Sequence, residues 1–279
     1  MDAQRSAKLI RQIERMVVPH GQLALWALGQ AGFVMKGGDT IAYIDPYLSN
    51  SITEAGGAQR RFPVPIDPAT ITHAQVVFVT HDHPDHLDVA TLIPLLTASP
   101  TATLITSPPG AVRMRKAGIA HDRIVTPVLG KWKRLADLSY TAIPAAHYNF
   151  EIDLDGCSTW QGFLINCNGI TLYHAGDTLI FPELLCALEG VVVDVALLPF
   201  NGRDHFREAL GIIGNMWPNE AVQLAQLLKA RVLIGIHNDL FTENRLNTGM
   251  LFDAIDTYAP RQRCHVLLPG EGYVYVKDE

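Results

Sequence analysis

The chain has 279 residues, of which 48% are hydrophobic and 18% charged, a composition typical of a folded globular protein rather than a disordered one. A net charge of -6 argues against a surface for long nucleic acids, which normally carries clustered lysines and arginines. No apolar stretch approaches the roughly 20 residues that a membrane span requires. We therefore expect a small-molecule partner, with no nucleic acid polymer and no membrane.

The chain begins with an amphipathic helix, predicted at 3–18, whose apolar positions are Leu9, Ile10, Ile13, Met16 and Val17. Strands follow at 24–28, 32–36 and 40–44, separated by glycine-containing turns. Residues 49–71 show no periodicity and are predicted to form a long loop, interpreted as a substrate flap. The helix is either packed on the domain or an interface to a second copy, and we favour a homo-oligomer.

Strands and helices alternate after the flap. Further strands are predicted at 76–79, 103–107, 140–143, 162–167, 170–173, 192–198, 232–236, 265–268 and 273–276. Further helices are predicted at 89–96, 110–117, 218–230 and 245–258. A meander followed by strand–helix alternation, twice, predicts an α/β fold of two β-sheets back to back with helices outside. No Pro/Ser-rich linker divides the sequence, so we expect a single domain over 1–279.

Two features of the sequence indicate the cellular compartment, namely the cysteines and the amino-terminal region. The four cysteines have no CxxC spacing and lie mostly among apolar residues (Cys157, Cys167, Cys186 and Cys264), which favours reduced core thiols over disulfides. The first 20 residues have no continuous apolar segment of the kind found in export signals. Both features favour a cytoplasmic protein.

The strongest functional signal is the run Thr80-His81-Asp82-His83-Pro84-Asp85-His86. It follows the apolar segment 76–79, so its histidines leave the carboxyl end of a buried strand, a rigid place for metal ligands. A solvated histidine-rich turn is the alternative, but clustered histidines with aspartates are typical of a metal site.

Three more candidate ligands each lie just past a predicted strand, namely His147, Asp177 and His237. Any one of them alone is more often a structural residue. The ends of strands that run in the same sense meet at one edge of a sheet, so the repeated position indicates a site shared with the 80–86 run.

These motifs resemble those of the metallo-β-lactamase fold superfamily, and the resemblance covers the chain from Leu28-Gly29 and Ile44-Asp45-Pro46 to Gly235-Ile236-His237. Within it, the stretches 172–177, 193–197 and 236–239 are similar to the L-ascorbate-6-phosphate lactonase branch. The resemblance implies a four-layer αββα sandwich of two mixed β-sheets flanked by helices. It also implies two metal ions, one held by His81, His83 and His147, the other by Asp85, His86 and His237, with Asp177 bridging both.

The implied ligands are nitrogen and oxygen donors, which suit two divalent Zn or Mn ions, or Fe. Water between two such cations becomes hydroxide near neutral pH. Asp85 is predicted to orient this nucleophile. His174 is assigned a catalytic role in support of the ligands, and Asp45 and Asp239 are expected to accept hydrogen bonds from ligating imidazoles. For His174, Asp45 and Asp239, a helix cap, a turn or a satisfied core polar group is an equal alternative.

Substrate-binding groups are predicted after the strand at 192–198. Asn201 and Arg203 lie at the same edge and are expected to contact an anionic substrate. Alternatively, Arg203 pairs with Asp204 or Glu208.

We expect a metal-dependent hydrolase with a bridging hydroxide that opens a small polar or sugar-acid (phosphate) lactone. One alternative is a phosphodiesterase for a small or cyclic nucleotide, since two metals can hold the attacking and leaving oxygens. A second is a non-catalytic metal- or ligand-binding module, because fold does not fix function.

Overall fold

The structure is a computed structural model that describes residues 2–277. Within this range the strands are β1 (Gln22–Gly29), β2 (Gly32–Gly37), β3 (Thr40–Ile44), β4 (Val76–Phe78), β5 (Thr103–Ile105), β6 (Ile124–Val125), β7 (Lys133–Leu135), β8 (Leu138–Pro144), β9 (Gln161–Cys167), β10 (Ile170–His174), β11 (Val195–Pro199), β12 (Val232–Ile236), β13 (Arg263–His265) and β14 (Gly272–Val276). The α-helices are α1 (Ala3–Arg15), α2 (Ser51–Glu54), α3 (Val89–Ala98), α4 (Pro108–Lys116), α5 (Pro182–Ala187), α6 (His205–Ala209), α7 (Pro218–Leu227) and α8 (Gly249–Tyr258).

The strands form two seven-stranded sheets, in the orders β14-β1-β2-β3-β4-β5-β6 and β13-β12-β11-β10-β9-β8-β7. Neighbours are antiparallel from β14 to β3 and parallel from β3 to β6. In the second sheet they are antiparallel from β7 to β10 and parallel from β10 to β13. Both sheets are therefore mixed, as the sequence resemblance implied.

Three apolar clusters establish the order of the layers. The central cluster joins the facing sides of the two sheets, where the Phe78 and Phe163 ring centroids lie 4.9 Å apart. A second cluster packs α1, α3 and α4 on the outer face of the first sheet, and a third packs α5, α7 and α8 on the outer face of the second sheet. The middle of each sheet is covered on both faces, which explains why the inner parallel strands β4, β11 and β12 are continuously apolar. The predicted four-layer αββα sandwich is confirmed.

The amino-terminal helix is shorter than predicted. It ends at Arg15, because Met16 adopts an extended backbone and Pro19 disfavours a helical residue before it. Val17 therefore leaves the apolar face and is 86% exposed. The buried Lys36 Nζ donates to the carbonyls of Ile13 and Glu14, each at 2.8 Å, and so satisfies acceptors that a helix end leaves free.

Other differences lie at edges and in loops. The strand predicted at 265–268 is Arg263–His265, because this edge strand pairs with β12 only over Val232–Ile234. The short elements β6, β7, α2, α5 and α6 were not predicted, since two to six residues show too little periodicity. All four cysteines are free, as expected, but Cys186 is exposed on α5 rather than buried. Within residues 2–277, no helix combines the length and the apolar character needed to cross a bilayer.

Candidate metal centre

The carboxyl ends of β4, β8, β10 and β12 meet at one edge of the sandwich and bring the predicted ligands together. The ligands fall into two groups. Within each, the candidate ligand atoms lie within 4.8 Å of one another. We call them the first group (His81, His83, His147 and Asp177) and the second group (Asp85, His86 and His237).

In the first group, buried ligand atoms have no hydrogen-bond partner. The Nδ1 atoms of His81 and His147 contact Thr80 Oγ1 at 3.0 Å and the Gly214 carbonyl at 3.1 Å. Both Nε2 atoms, and Oδ1 of Asp177, are buried without a partner. Buried polar atoms are normally satisfied. A cation between them would satisfy all three, so the donor set fits a metal ion.

The second group is held by close contacts between its own members. His237 Nε2 lies 3.4 Å from Asp85 Oδ2, and His86 Nε2 lies 3.8 Å from the same oxygen. Asp177 joins the two groups, since its carboxylate oxygens lie 3.1 Å from His237 Nε2, 3.4 Å from His86 Nε2 and 3.5 Å from His147 Nε2. This placement lets one carboxylate serve two adjacent cations.

The two groups differ in electrostatics. Burial lowers the pKa of His81 and of His147, and in each case neighbouring imidazoles lower it further. Burial also acts against charge on His86 and His237, but the nearby carboxylates outweigh it, raising the pKa of His86 well above its usual value and that of His237 to about 9. The pKa of Asp85 is held below its usual range, because the charges of these imidazoles outweigh its burial.

Asp45 contacts a ligating imidazole as predicted, whereas Asp239 hydrogen-bonds the backbone of Gln30 instead of an imidazole. Asp45 Oδ2 lies 2.8 Å from His86 Nδ1, and the Asp45 carboxylate accepts hydrogen bonds from the amide and hydroxyl of Thr80 at 2.8 and 2.7 Å. Asp239 Oδ1 accepts from the amide of Gln30 at 2.8 Å. Asp45 thus orients a ligand directly, whereas Asp239 acts on the turn between β1 and β2.

Gln30 was missed by sequence reasoning. Its Nε2 donates to Asp85 Oδ2 at 2.7 Å and lies 3.1 Å from His237 Nε2, and its carbonyl accepts from the His237 amide at 2.9 Å. The only signal for it was its position after Leu28-Gly29, a stretch that the resemblance includes. One glutamine therefore contacts two members of the second group.

The backbone around the second group is strained. Gln30, Asp45 and His237 all have positive φ, at 57°, 43° and 64°. Non-glycine residues rarely adopt this conformation, and such strain concentrates at functional sites. The left-handed turns bring each residue out of its strand and toward the metal centre.

His174 does not occupy a position from which it could act on a substrate. Its Nε2 donates to the Ala31 carbonyl at 2.8 Å, and its Nδ1 accepts from the Gly176 amide at 3.1 Å. Both nitrogens are used and the residue is fully buried. We correct its assignment from a catalytic group to a residue that holds the loop carrying Asp177.

The predicted substrate contacts are also corrected. Arg203 forms a two-point ion pair with Glu220 at 2.7 and 2.9 Å, so it pairs with neither of the predicted carboxylates and does not line the pocket. Asn201 is buried and donates to Asn244 Oδ1 at 2.7 Å. It also accepts from Asn215, whose Nδ2 lies 3.4 Å from His237 Nδ1. Asn201 thus belongs to a buried amide chain behind His237.

A pocket of about 330 Å³ opens onto the metal centre. His83, Asp85, Asp177 and His237 lie at its base. Its walls come from α2 with the loop that follows it, at 52–58, and from the loops at 211–213 and 241–244. The 52–58 stretch lies within the segment 49–71, whose role as a substrate flap stays a prediction, although α2 gives that segment a short helix.

Comparisons with known proteins are consistent with this geometry. The sequence profile of the beta-lactamase superfamily domain matches residues 41–238, which include all seven candidate ligands. The chain belongs to the metallo-β-lactamase superfamily. The superfamily resemblance is thereby confirmed, whereas similarity to the ascorbate-6-phosphate lactonase branch stays a prediction.

The chain is similar to several proteins that are named as hydrolases, two of them as metal-dependent or metallo hydrolases. It is 27% identical to a UPF0173 metal-dependent hydrolase from Staphylothermus marinus over 86% of this chain and 92% of the relative. A novel metallo hydrolase from Ignicoccus hospitalis superposes with a TM-score of 0.68 at 20% identity, over 92% of this chain and 100% of that one. An isothiocyanate hydrolase from Delia radicum gut bacteria superposes with a TM-score of 0.71 at 17% identity, over 91% and 99%.

Proposed function

We propose that this protein is a metal-dependent hydrolase that opens a small lactone. One observation carries the proposal. The Nε2 atoms of His81 and His147 and Oδ1 of Asp177 are buried without a hydrogen bond, and they lie beside a second group of candidate ligands. The names of the relatives support the hydrolase class. A lactone is small and has one reacting carbonyl, so it fits a small pocket with the candidate ligands at its base.

Two divalent cations, Zn or Mn, or Fe, would supply a nucleophilic water at neutral pH and polarise the scissile carbonyl. His81, His83 and His147 would hold one, and Asp85, His86 and His237 the other. Asp177 would bridge them.

Asp85 is the residue placed to handle protons. Its side chain is 17% exposed, whereas that of Asp177 is 4% exposed, and it faces the pocket while Gln30 holds one of its oxygens. A carboxylate held in this way can orient the attacking water and accept its proton. It can then return that proton to the departing alkoxide when the ring opens.

The accessibility of the candidate metal centre argues against a non-catalytic binding module. His83 and Asp85 line a pocket that is open to solvent, so a substrate can reach the candidate ligands. Nothing in the pocket specifically favours a phosphodiester. The phosphodiesterase alternative is tested by assaying a phosphodiester together with the lactones.

The decisive experiment is metal analysis of the purified protein, followed by assays of the Zn-, Mn- and Fe-loaded forms. The panel comprises γ- and δ-lactones, bis(4-nitrophenyl) phosphate and, because one structural neighbour is named for it, an alkyl isothiocyanate. We expect about two metal ions per chain and lactone opening as the fastest reaction. Faster phosphodiester cleavage would replace the lactonase proposal. Absence of turnover in every loaded form would overturn the hydrolase proposal.

A further inference from the structure

We infer that the pocket selects lactones whose non-reacting part is uncharged and apolar, and that it discriminates against phosphorylated or carboxylated ones. The inference rests on the proposed function and adds the substrate class. It departs from the sugar-acid phosphate that the sequence resemblance suggested.

The walls of the pocket are largely apolar. They are formed by apolar side chains from α2 and from separate loops, namely Ile52, Ala58, Pro84, Ile212, Ile213 and Phe241. Ile52, Ala58 and Phe241 pack in one cluster with Tyr47 and Leu240, so that wall is part of a small core. Such walls gain free energy by removing an alkyl or aryl group from water.

Cationic side chains are missing from these walls. Among the lining residues in the described part of the chain there is no lysine or arginine, and apart from the candidate ligands the one charged side chain is Glu243. A phosphate or carboxylate on the far end of a substrate would thus lose water without gaining an ion pair, and it would face a carboxylate.

The nearby arginines are already engaged. The guanidinium of Arg203 is held by Glu220. Arg60, next to the flap wall, donates from Nη1 to the carbonyls of Tyr47 and Ser49 at 3.0 and 2.8 Å and lies over the Tyr47 ring. Binding a phosphate by Arg203 would require breaking its ion pair with Glu220. Arg60 Nη2 has no hydrogen-bond partner, but it is buried and Arg60 does not line the pocket. The cations at the base of the pocket would be the metals, and the reacting carbonyl would compete with the anion for them.

The test compares matched γ-lactones that share one ring, carrying a butyl, a carboxyethyl or a phosphomethyl substituent, on the metal-loaded protein. We expect kcat/KM for the butyl lactone to exceed that for either anionic lactone by about tenfold or more. Equal values, or a preference for an anionic lactone, would overturn the inference. If a phosphate preference disappears in Arg60→Met, the anion is bound by Arg60 and our assignment of the pocket is wrong.

Variants separate the pocket walls from general effects. Ile212→Asn should weaken use of the butyl lactone by on the order of tenfold in KM. The matched control is Leu210→Asn, since Leu210 is 74% exposed and does not line the pocket. Glu243→Lys should reduce the difference in kcat/KM between the butyl lactone and the anionic lactones. If Ile212→Asn behaves like Leu210→Asn, or this difference is unchanged in Glu243→Lys, the walls do not select the substrate.

A binding measurement distinguishes failure of this inference from failure of the proposed function. The corresponding butyl and carboxyethyl γ-lactams resist hydrolysis, so calorimetry on the metal-loaded protein reports pocket preference without turnover. Tighter binding of the butyl lactam, with no lactone opened, would leave the pocket assignment standing and overturn only the lactonase. If the protein opens lactones but binds the carboxyethyl lactam more tightly, the lactonase proposal stands and the inferred preference for apolar substituents is overturned.

Discussion

The two ligand groups share one edge of the sandwich but differ in how the protein prepares them. In the first group, burial lowers the pKa of His81 and His147, so these imidazoles are neutral and ready to bind a cation. In the second group, carboxylates raise the pKa of His86 and His237, so protons there neutralise Asp85 and Asp177. Metal loading at the second group must displace those protons, and we expect the first group to fill first.

The replacement Asp177→Asn should have the largest effect, because this carboxylate contacts both groups. An amide offers one neutral oxygen and cannot bridge two cations. We expect loss of most bound metal and a fall in kcat on the order of 10³-fold or more. Metal content by plasma emission spectrometry and lactone kinetics would measure both, with circular dichroism to establish that the variant folds. Retention of both metals would exclude a bridging role.

Asp85→Asn should affect the second group alone. The first group contains no atom of Asp85, so we expect about one tightly bound metal per chain and a fall in kcat of about 10²- to 10⁴-fold. Asp177→Asn is the matched comparison, because both variants replace an aspartate with asparagine. Equal metal loss in the two variants would mean that the groups do not load independently.

Raising the pH should strengthen metal binding mainly at the second group. The folded pKa of His237 is about 9, above the usual value near 6.5, so between pH 6.5 and 8.5 the metal displaces about one proton from it. The apparent affinity of the second group should rise by at least about tenfold per pH unit, because His86, whose pKa is also raised, gives up a proton as well. His81 and His147 are already neutral. Calorimetric titration with Zn²⁺ in several buffers would resolve the two sites, and parallel slopes would contradict the assignment.

The raised pKa of His237 also predicts how the stability of the metal-free protein depends on pH. A raised histidine pKa contributes stability that is complete below about pH 6.5 and is lost as the pH rises through about 9. The melting temperature of the metal-free protein should therefore fall over this range, and by less when Zn²⁺ is present. Scanning calorimetry across the range would show it, and a rising melting temperature would contradict the sign.

Gln30→Met should have the smallest effect of this series. It removes the 2.7 Å hydrogen bond to Asp85 while keeping a side chain of similar length. Loss of a supporting contact to a ligand typically costs about tenfold or somewhat more in metal affinity. We expect that loss at the second site only, with partial recovery in Gln30→Asn. Equal weakening of both sites would indicate a structural role for Gln30 instead.

The sequence located the candidate ligands that the fold brings together, but it predicted the residues around them poorly. His81, His83, Asp85 and His86 could be found because they lie within six residues of one another, and the three distant ligands because each follows an apolar strand. Gln30 could not be found, since no local pattern separates it from other polar turn residues. Arg203 was interpreted as a substrate contact because its partner Glu220 lies 17 residues away, on a helix whose orientation the sequence does not specify.

The amino-acid sequence by itself determined the alternation of strands and helices, the two sheets and the residues able to bind metal, because periodicity and residue chemistry are local properties. Only the tertiary structure decided which imidazoles are neutral, that both nitrogens of His174 are used, and that the pocket walls lack a cation. These depend on burial and on contacts between segments far apart in the chain, since the solvation of a charge and the field of its neighbours exist only once the chain is folded.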